Sequence, residues 1–228
     1  MLKKVIVVFS SHRDDAANQK FTNEILETIG VQNVIVSCYP NFNQFSLSEL
    51  YNKALKEYND KESIFVFCHN DIHFNTRDWG RRLLSKFNNT DYSIIGLAGS
   101  TYLGEKGVWW EKPETMLGIV NHTNGLRTWA SEYCPSFTGV KPVVLVDGCF
   151  IAVNPNNIEH NFDEEFKGFH FYDLSLCVPN YLDGCNIGVV TDIRITHESV
   201  GMVNEQWEQN RQQFVEKYKN DIPLIYES

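Results

Sequence analysis

The stretch Ser63–Asp71, SIFVFCHND, sets an apolar run directly before three polar residues. Ser63–Cys68 is predicted to be a buried strand, because parallel sheets contain such continuous apolar runs. His69, Asn70 and Asp71 follow at the point where that strand ends. Ligands of open α/β sheets bind beyond the carboxyl ends of the strands. This junction therefore predicts both the fold class and the place of its site.

The same alternation of apolar run and polar segment extends through the first half of the chain. Lys3–Ser10, Val34–Cys38 and Tyr92–Leu97 are predicted to be further strands, with helices between them. One helix should begin at Ser46–Glu49, which has the form of a capping box, and another is predicted to be capped by Thr76. Strands and helices that alternate with short loops are typical of a mostly parallel sheet flanked by helices.

The second half has a looser, mixed pattern. Pro142–Val153 is predicted to be a long apolar strand that is interrupted by Asp147 and Gly148. Ile187–Ile195 is predicted to be a final strand and Asn204–Tyr218 a helix. Pro179 is expected to kink or end the helix that follows Phe169–Asp173. No internal repeat or linker divides the chain, so we expect one α/β domain with a mixed second half.

The composition fits a folded domain and narrows the range of ligands. Of the 228 residues, 43% are hydrophobic and 21% are charged, as in globular proteins. Lys and Arg number 20 against 29 Asp and Glu, which gives a net charge of −9. Duplex nucleic acids and anionic membranes are bound by basic surfaces, so this balance argues against both.

The cysteines and the apolar runs bear on location. The six cysteines form no C-x-x-C pair. No apolar run approaches the ~20 residues of a membrane helix, and the first strand is too short for a signal-peptide core. We therefore expect a protein of the reducing cytoplasm with no transmembrane segment.

Glycine-rich motifs that grip phosphate are missing. Neither G-x-G-x-x-G after the first strand nor G-x-x-x-x-G-K-[ST] occurs, which disfavours Rossmann dehydrogenases and P-loop enzymes. A diphosphate bound by so acidic a chain would most naturally be held through a divalent metal on carboxylates. Asp71, at the end of an apolar strand, is the best-placed carboxylate.

His69, Asp71 and His73 alternate, so in an extended strand they would share one face. This spacing allows a metal site, and it equally fits a polar cluster that only caps the sheet. His197, after the last strand, is open to the same two interpretations.

A second candidate for a functional residue is Asp173, which lies among aromatic residues in the sequence. Asp173 ends the segment Gly168–Asp173, GFHFYD, and an aromatic setting can raise the pKa of a carboxylate towards that of a useful base. An Asp at the start of a helix is also a common cap. Trp109 and Trp110 could stack on a sugar ring or belong to the core.

Five segments, taken in order, resemble glycosyltransferases of the large inverting family 2 type, which have a GT-A fold. They are Phe67–Asp71, Gly99–Ser100 with Trp109–Trp110, Val146–Phe150, Gly168–Asp173 and Ile195–His197. The similarity is greatest to the subgroup named after a streptomycin-biosynthesis protein. It implies a single GT-A (nucleotide-diphospho-sugar transferase) domain over residues 1–228. Residues 1–98 would form its nucleotide-binding half, 99–203 its acceptor and catalytic half, and 204–228 a C-terminal helix and tail.

The resemblance also implies a role for each site residue. Asp71 matches the last Asp of a D-x-D-like element that holds Mn²⁺ or Mg²⁺, His69 replaces the first Asp, and His197 matches a His that completes the metal site. Asp173 matches the general base that deprotonates the acceptor hydroxyl. The nucleotide-binding positions are Ser10, Ser11, Arg13, Asn52 and Asn70. The donor or acceptor sugar positions are Asp147, Gly148, Trp109, Trp110 and Tyr172.

Three functions follow in order of preference. The first is an inverting, metal-dependent transferase that moves a sugar from a nucleotide-diphosphate donor to an acceptor hydroxyl. The alternative is a catalytically inactive relative that binds a nucleotide or sugar. A nucleotidyltransferase is the weakest, because the loop Ser10–Arg13 has no glycine. The identity of the donor sugar, the acceptor (glycan, lipid-linked sugar or small molecule) and the oligomeric state are left open.

Overall fold

The structure is a computed structural model that describes residues 1–199, 201 and 203–226, so the last two residues of the predicted tail lie outside it. The described residues form five α-helices: α1 (Asp15–Thr28), α2 (Leu47–Tyr58), α3 (Trp79–Asn89), α4 (Tyr172–Leu182) and α5 (Glu205–Tyr218). Their strands are β1 (Lys4–Ser11), β2 (Val34–Pro40), β3 (Ser63–Cys68), β4 (Ile72–Phe74), β5 (Tyr92–Gly96), β6 (Ala98–Ser100), β7 (Tyr102–Leu103), β8 (Met116–Thr123), β9 (Thr128–Glu132), β10 (Lys141–Val143), β11 (Leu145–Val146), β12 (Phe150–Val153), β13 (Asn186–Val189), β14 (Ile195–His197) and β15 (Leu224–Ile225).

A seven-stranded sheet in the order β10-β13-β5-β12-β3-β1-β2 forms the centre. Strands β1, β2, β3, β5 and β13 run in one direction, and β10 and β12 run against them. This confirms the predicted mostly parallel sheet. Every residue of β3 and β12 is buried, as expected for central strands covered on both faces.

The capping box predicted at Ser46 is present. The Ser46 hydroxyl accepts the Glu49 N–H at 3.3 Å, and the Glu49 carboxylate accepts the Ser46 N–H at 2.7 Å. These two bonds satisfy N–H groups that a helix start leaves without partners. The predicted cap at Thr76 is wrong, since its hydroxyl accepts the N–H of Arg194 and α3 begins later, after Asp78.

A second sheet, in the order β11-β6-β8-β14-β4 with β9 on β8, lies at the carboxyl edge of the first. It takes up parts of two segments that were predicted as strands. The interruption predicted at Asp147 and Gly148 is confirmed between β11 and β12, where the Asp147 carboxylate accepts the Cys149 N–H at 3.0 Å. A second break, between β10 and β11, was not predicted. Ile187–Ile195 splits into β13 and β14 around Asp192, which is bound to Lys86 at 2.9 Å.

Helix α4 continues to Leu182, three residues past Pro179, so the expectation that proline ends it is wrong. Leu176, Cys177 and Val178 are fully buried beside the proline, and their packing holds the helical path. The side-chain amide of Asn180 also donates to the Leu176 carbonyl at 2.8 Å. Among the described residues, no helix combines the length and the apolarity needed to cross a bilayer.

Candidate functional site

A cavity of about 770 Å³ opens where the carboxyl ends of β1 and β3 meet the second sheet. Most of the predicted site residues line it: Ser10, Ser11, His69, Asn70, Asp71, Trp109, Trp110, Asp147, Gly148, Tyr172, Asp173 and His197. The position agrees with the general rule for ligands of α/β sheets.

Strand pairing brings the candidate metal ligands together. Strand β14 runs antiparallel to β4 and sets His197 opposite Ile72, while the Glu198 N–H donates to the Asp71 carbonyl at 2.8 Å. The His69 N–H donates to the Cys149 carbonyl at 3.1 Å. The segment between β3 and β4 and the end of β14 therefore meet at the floor of the cavity.

Three side-chain atoms converge there. His197 Nε2 lies 3.2 Å from both His69 Nδ1 and Asp71 Oδ1, and the last two are 3.7 Å apart. Asp71 Oδ1 is buried and accepts no well-aligned hydrogen bond. A buried carboxylate oxygen left in this way is costly unless a further group, such as a cation, satisfies it.

The proton on His69 is fixed by its neighbour Tyr172. The Tyr172 hydroxyl donates its single hydrogen to the Gly148 carbonyl at 2.8 Å, and it also lies 2.8 Å from His69 Nε2. Because that hydrogen is already used, His69 Nε2 must donate to the hydroxyl oxygen. Nδ1 then presents a lone pair towards Asp71 and His197, as a metal-binding imidazole does.

The charges suit a divalent cation. Burial raises the pKa of Asp71, but His197 and His69 outweigh it and hold that pKa at about 2, so the carboxylate is ionised. Burial lowers the pKa of His69, which favours its neutral form. One anionic oxygen and imidazole nitrogens, all within 4.8 Å of one another, form a donor set that fits Mn²⁺ or a similar metal.

His73 does not join this cluster, although its spacing allowed it to. Its Nδ1 lies 3.0 Å from a Glu24 carboxylate oxygen, and its Nε2 lies 2.9 Å from one of Glu198. Strand β3 ends at Cys68 and β4 begins at Ile72, so residues 69 to 73 are not one extended strand with a shared face.

Asp173 lies in the first turn of α4 and lines the same cavity. Burial and, to a smaller extent, the charge of Asp147 raise the pKa of Asp173 to about 7, although backbone N–H groups including that of Gly148 oppose the shift. A carboxyl group with a pKa near the working pH is suited to accept a proton during a reaction.

The loop at Gly148 is fitted closely to Tyr172. A Cβ at Gly148 would fall on the Tyr172 hydroxyl, so only glycine leaves that hydroxyl in place.

The two tryptophans at the cavity differ in exposure. Trp109 is buried against Trp110 and Tyr133, whereas Trp110 is 44% exposed. Of the two tryptophans, Trp110 alone offers a large free aromatic surface to a ligand.

The residues predicted to bind nucleotide fall into two groups. The Ser11 hydroxyl accepts the Asn70 side-chain amide at 2.8 Å, and Ser10 lies beside them at the cavity. Arg13 and Asn52 are outside the cavity lining, and their assignment to the nucleotide stays a prediction. Arg13 is paired with Glu198 at 3.1 Å, and Asn52 is held by the backbone of Phe162.

Several lining residues were missed by sequence reasoning, among them Asn41, His122, His170 and Trp207. Asn41 follows strand β2, which is the signal that singled out His69, whereas His122 lies within β8 after its apolar part. His122 is brought in because β8 runs parallel to β14 and pairs it with His197. Such a pairing between distant strands has no mark in the local sequence.

A family model described as "Glycosyltransferase like family" matches residues 21–218. The chain belongs to this family. The match covers the second sheet, α5 and all of the first sheet except β1. Of the residues that line the cavity, this glycosyltransferase-like match leaves out Ser10, Ser11 and His12 at the end of β1. A sequence comparison with curated proteins finds no significant match.

Solved structures share the fold of this glycosyltransferase-like chain at low sequence identity. One is GalNAc-T7 with UDP, GalNAc and Mn²⁺, at 8% identity and a TM-score of 0.63 over 94% of this chain and 48% of that one. Another is the mannosyltransferase PcManGT from Pyrobaculum calidifontis in complex with GDP-Man and Mn²⁺, at 11% identity and a TM-score of 0.56. It matches 97% of this chain and 65% of that one.

The likeness confirms the expected GT-A fold for a single α/β domain. The chain spans about half the length of the GalNAc-T7 chain and 65% of the PcManGT chain. Membership of the streptomycin-biosynthesis subgroup stays a prediction.

Proposed function

We propose that this protein is an inverting, metal-dependent glycosyltransferase that moves a sugar from a nucleotide-diphosphate donor to an acceptor hydroxyl. The observation that carries the proposal is the convergence of His69 Nδ1, Asp71 Oδ1 and His197 Nε2 on the floor of a cavity that Asp173 also lines. Family membership supports the transferase class.

The donor half of the proposal concerns the nucleotide and the metal. The structural neighbours hold UDP or GDP-Man together with Mn²⁺. Here His69, Asp71 and His197 would hold Mn²⁺ or Mg²⁺, and Ser10, Ser11 and Asn70 would contact the nucleotide. The cation, when bound, supplies charge stabilisation for the departing nucleoside diphosphate.

The acceptor half assigns the proton transfer to Asp173. Its ionised carboxylate takes the proton of the acceptor hydroxyl while that oxygen forms a bond to the anomeric carbon. The bond from that carbon to the diphosphate oxygen breaks on the opposite side, and the anomeric configuration is inverted. Asp147, Gly148, Trp109, Trp110 and Tyr172 would surround the two sugars.

The same proposal assigns a different ligand to each half of the chain. Residues 1–98 would supply most of the nucleotide contacts and residues 99–203 most of the acceptor contacts. All six cysteines are unpaired, which supports a reducing cytoplasm as the location.

The test is a thermal-shift series with UDP- and GDP-linked sugars, each with Mn²⁺, with Mg²⁺ and with EDTA. We expect a donor to raise the melting temperature when the cation is present, because only the folded protein binds it. Asp71→Asn should lose the cation-dependent part, whereas His160→Gln, whose imidazole pairs with Asp183 outside the cavity, should keep it. A donor-induced rise in melting temperature that is as large in EDTA as with Mn²⁺ or Mg²⁺ would contradict the proposal.

Transfer itself is followed by NMR of the product anomer, for which we expect the configuration opposite to that of the donor. Retention of configuration would rule out single displacement. Donor binding without transfer or donor hydrolysis would favour the catalytically inactive relative instead.

A further inference from the structure

The described residues of the cavity wall provide no fixed positive charge. Among the described residues that line it, none is Lys or Arg, whereas Asp147 and Asp173 contribute carboxylates besides that of Asp71. Burial also lowers the pKa of His170, which favours the neutral form of this lining imidazole. Outside the metal cluster, an anionic group placed in the cavity would meet carboxylates without a compensating cation.

Two cations on neighbouring segments are engaged elsewhere. Lys112, two residues after Trp110, lies over the Tyr102 ring at 3.7 Å. Arg211, one helical turn after Trp207, is bound to the Glu208 carboxylate at 2.7 Å. Neither residue lines the cavity.

Three aromatic side chains that are partly exposed line the cavity and are called the aromatic wall here: Trp110, Phe169 and Trp207. Trp110 stacks on Trp207 with centroids 6.0 Å apart and 25° between the planes. Trp110 is 44% exposed and Phe169 is 41% exposed. Trp207 is anchored by a 5.6 Å contact with Phe171, so the wall is held by α5 and the start of α4.

We propose that the acceptor is a neutral pyranoside whose apolar face stacks on the aromatic wall. The inference rests on the proposed function and adds the chemical class of the acceptor. An exposed aromatic surface fits the C–H face of a sugar ring. The uncompensated carboxylates exclude acceptors that carry a carboxylate or a phosphate.

The test uses ligands that differ in one group. Binding of methyl glucoside, methyl galactoside and methyl mannoside, and of the corresponding methyl uronides, is measured by saturation-transfer NMR on protein loaded with UDP or GDP and Mn²⁺. Farnesyl phosphate serves as an anionic lipid probe. We expect at least one neutral glycoside to bind, and its uronide to bind about tenfold more weakly or not at all.

Variants of the wall complete the test. Trp110→Ala should weaken the glycoside by about fivefold and Trp110→Phe should restore most of the loss. Phe45→Ala removes an aromatic ring that is 50% exposed and outside the cavity, and it should change nothing.

The outcomes separate this inference from the function on which it rests. If no donor stabilises the protein, the proposed function fails. If the donor binds but the uronides or farnesyl phosphate bind as well as the neutral glycosides, only the acceptor class is wrong. The acceptor class is also wrong if the donor binds but no neutral glycoside does, or if the Trp110→Ala variant binds a neutral glycoside as tightly as the parent protein does.

Discussion

Asp173 has surroundings that favour its protonated form, although its proposed role needs the ionised one. Burial and the nearby charge of Asp147 bring its pKa to about 7, so both forms are populated near neutral pH. A base of this kind binds a proton strongly enough to remove it from a hydroxyl and is still ionised in part of the molecules.

Replacing Asp173 with Asn should abolish transfer without loss of donor binding. The amide keeps the size of the side chain but cannot accept the proton, so we expect the rate to fall by about 10²- to 10⁴-fold. The rate is measured with a saturating donor, and donor binding by the cation-dependent thermal shift. If transfer persists at the parent rate, the base lies elsewhere.

The same carboxyl group should make activity and stability respond to pH in opposite directions. Transfer should rise as the pH passes 7, because Asp173 ionises there. Its folded-state pKa of about 7 lies above the ordinary value of 3.8, so its contribution to stability is complete below about pH 4 and is lost as the pH rises through 7.

Chemical denaturation in EDTA at several pH values checks the stability part of this prediction. From pH 5 to pH 8 the parent protein should lose stability relative to Asp173→Asn, with a slope of at most about 1.4 kcal/mol per pH unit. Asp221→Asn, at an exposed position, should follow the parent protein. Parallel curves for the parent and Asp173→Asn would contradict the raised pKa.

At the scale of elements, the Tyr172 hydroxyl connects the start of α4 to the loop between β11 and β12. Tyr172 begins the helix, and its hydroxyl joins the Gly148 carbonyl of the loop to His69 after β3. Tyr172→Phe removes this connection and lets the His69 ring change its tautomer. We expect Mn²⁺ affinity, measured by electron paramagnetic resonance, to fall by about tenfold.

Tyr39→Phe provides the matched control. It removes a tyrosine hydroxyl that is bound to Glu57 at 2.8 Å and lies outside the cavity. Its Mn²⁺ affinity should equal that of the parent protein. If Tyr172→Phe also binds Mn²⁺ normally, the hydroxyl does not set the orientation of His69.

The elements themselves were largely predictable because their signals are local. The apolar run of β3, the capping box at Ser46 and the helix around Trp207 each follow from neighbouring residues. The branching of Pro142–Val153 and Ile187–Ile195 into two sheets was not predictable, because it depends on which distant strand pairs with each piece. The placement of His73 and Asn52 outside the cavity was not predictable either, because it depends on side chains and backbone groups that are distant in sequence. His73 contacts Glu24 and Glu198, and Asn52 is held by the backbone of Phe162.

At the scale of the whole molecule, the core side chain Trp79 packs against two separate elements, β4 and α1. Its fully buried ring stacks on Phe74 of β4 at 4.4 Å, and the indole N–H donates to Thr28 of α1 at 3.1 Å. Trp79→Ala should therefore lower the free energy of unfolding in urea by about 3–5 kcal/mol. Trp129→Ala, on the partly exposed strand β9, should cost less than about 1 kcal/mol. Similar losses in both variants would contradict this account of the core.

The pairing of β14 with β4 and β8 also determines when, during synthesis and folding, the proposed metal site is completed. His69 and His197 are 128 positions apart, and the second cannot reach the first until the last strand of the second sheet has been made and has docked. A nascent chain that ends before residue 197 contains every strand of the central sheet but only two of the three proposed metal ligands. Tight cation capture would therefore be delayed until β14 has been made, and bound Mn²⁺ would mark the molecules whose second sheet has formed.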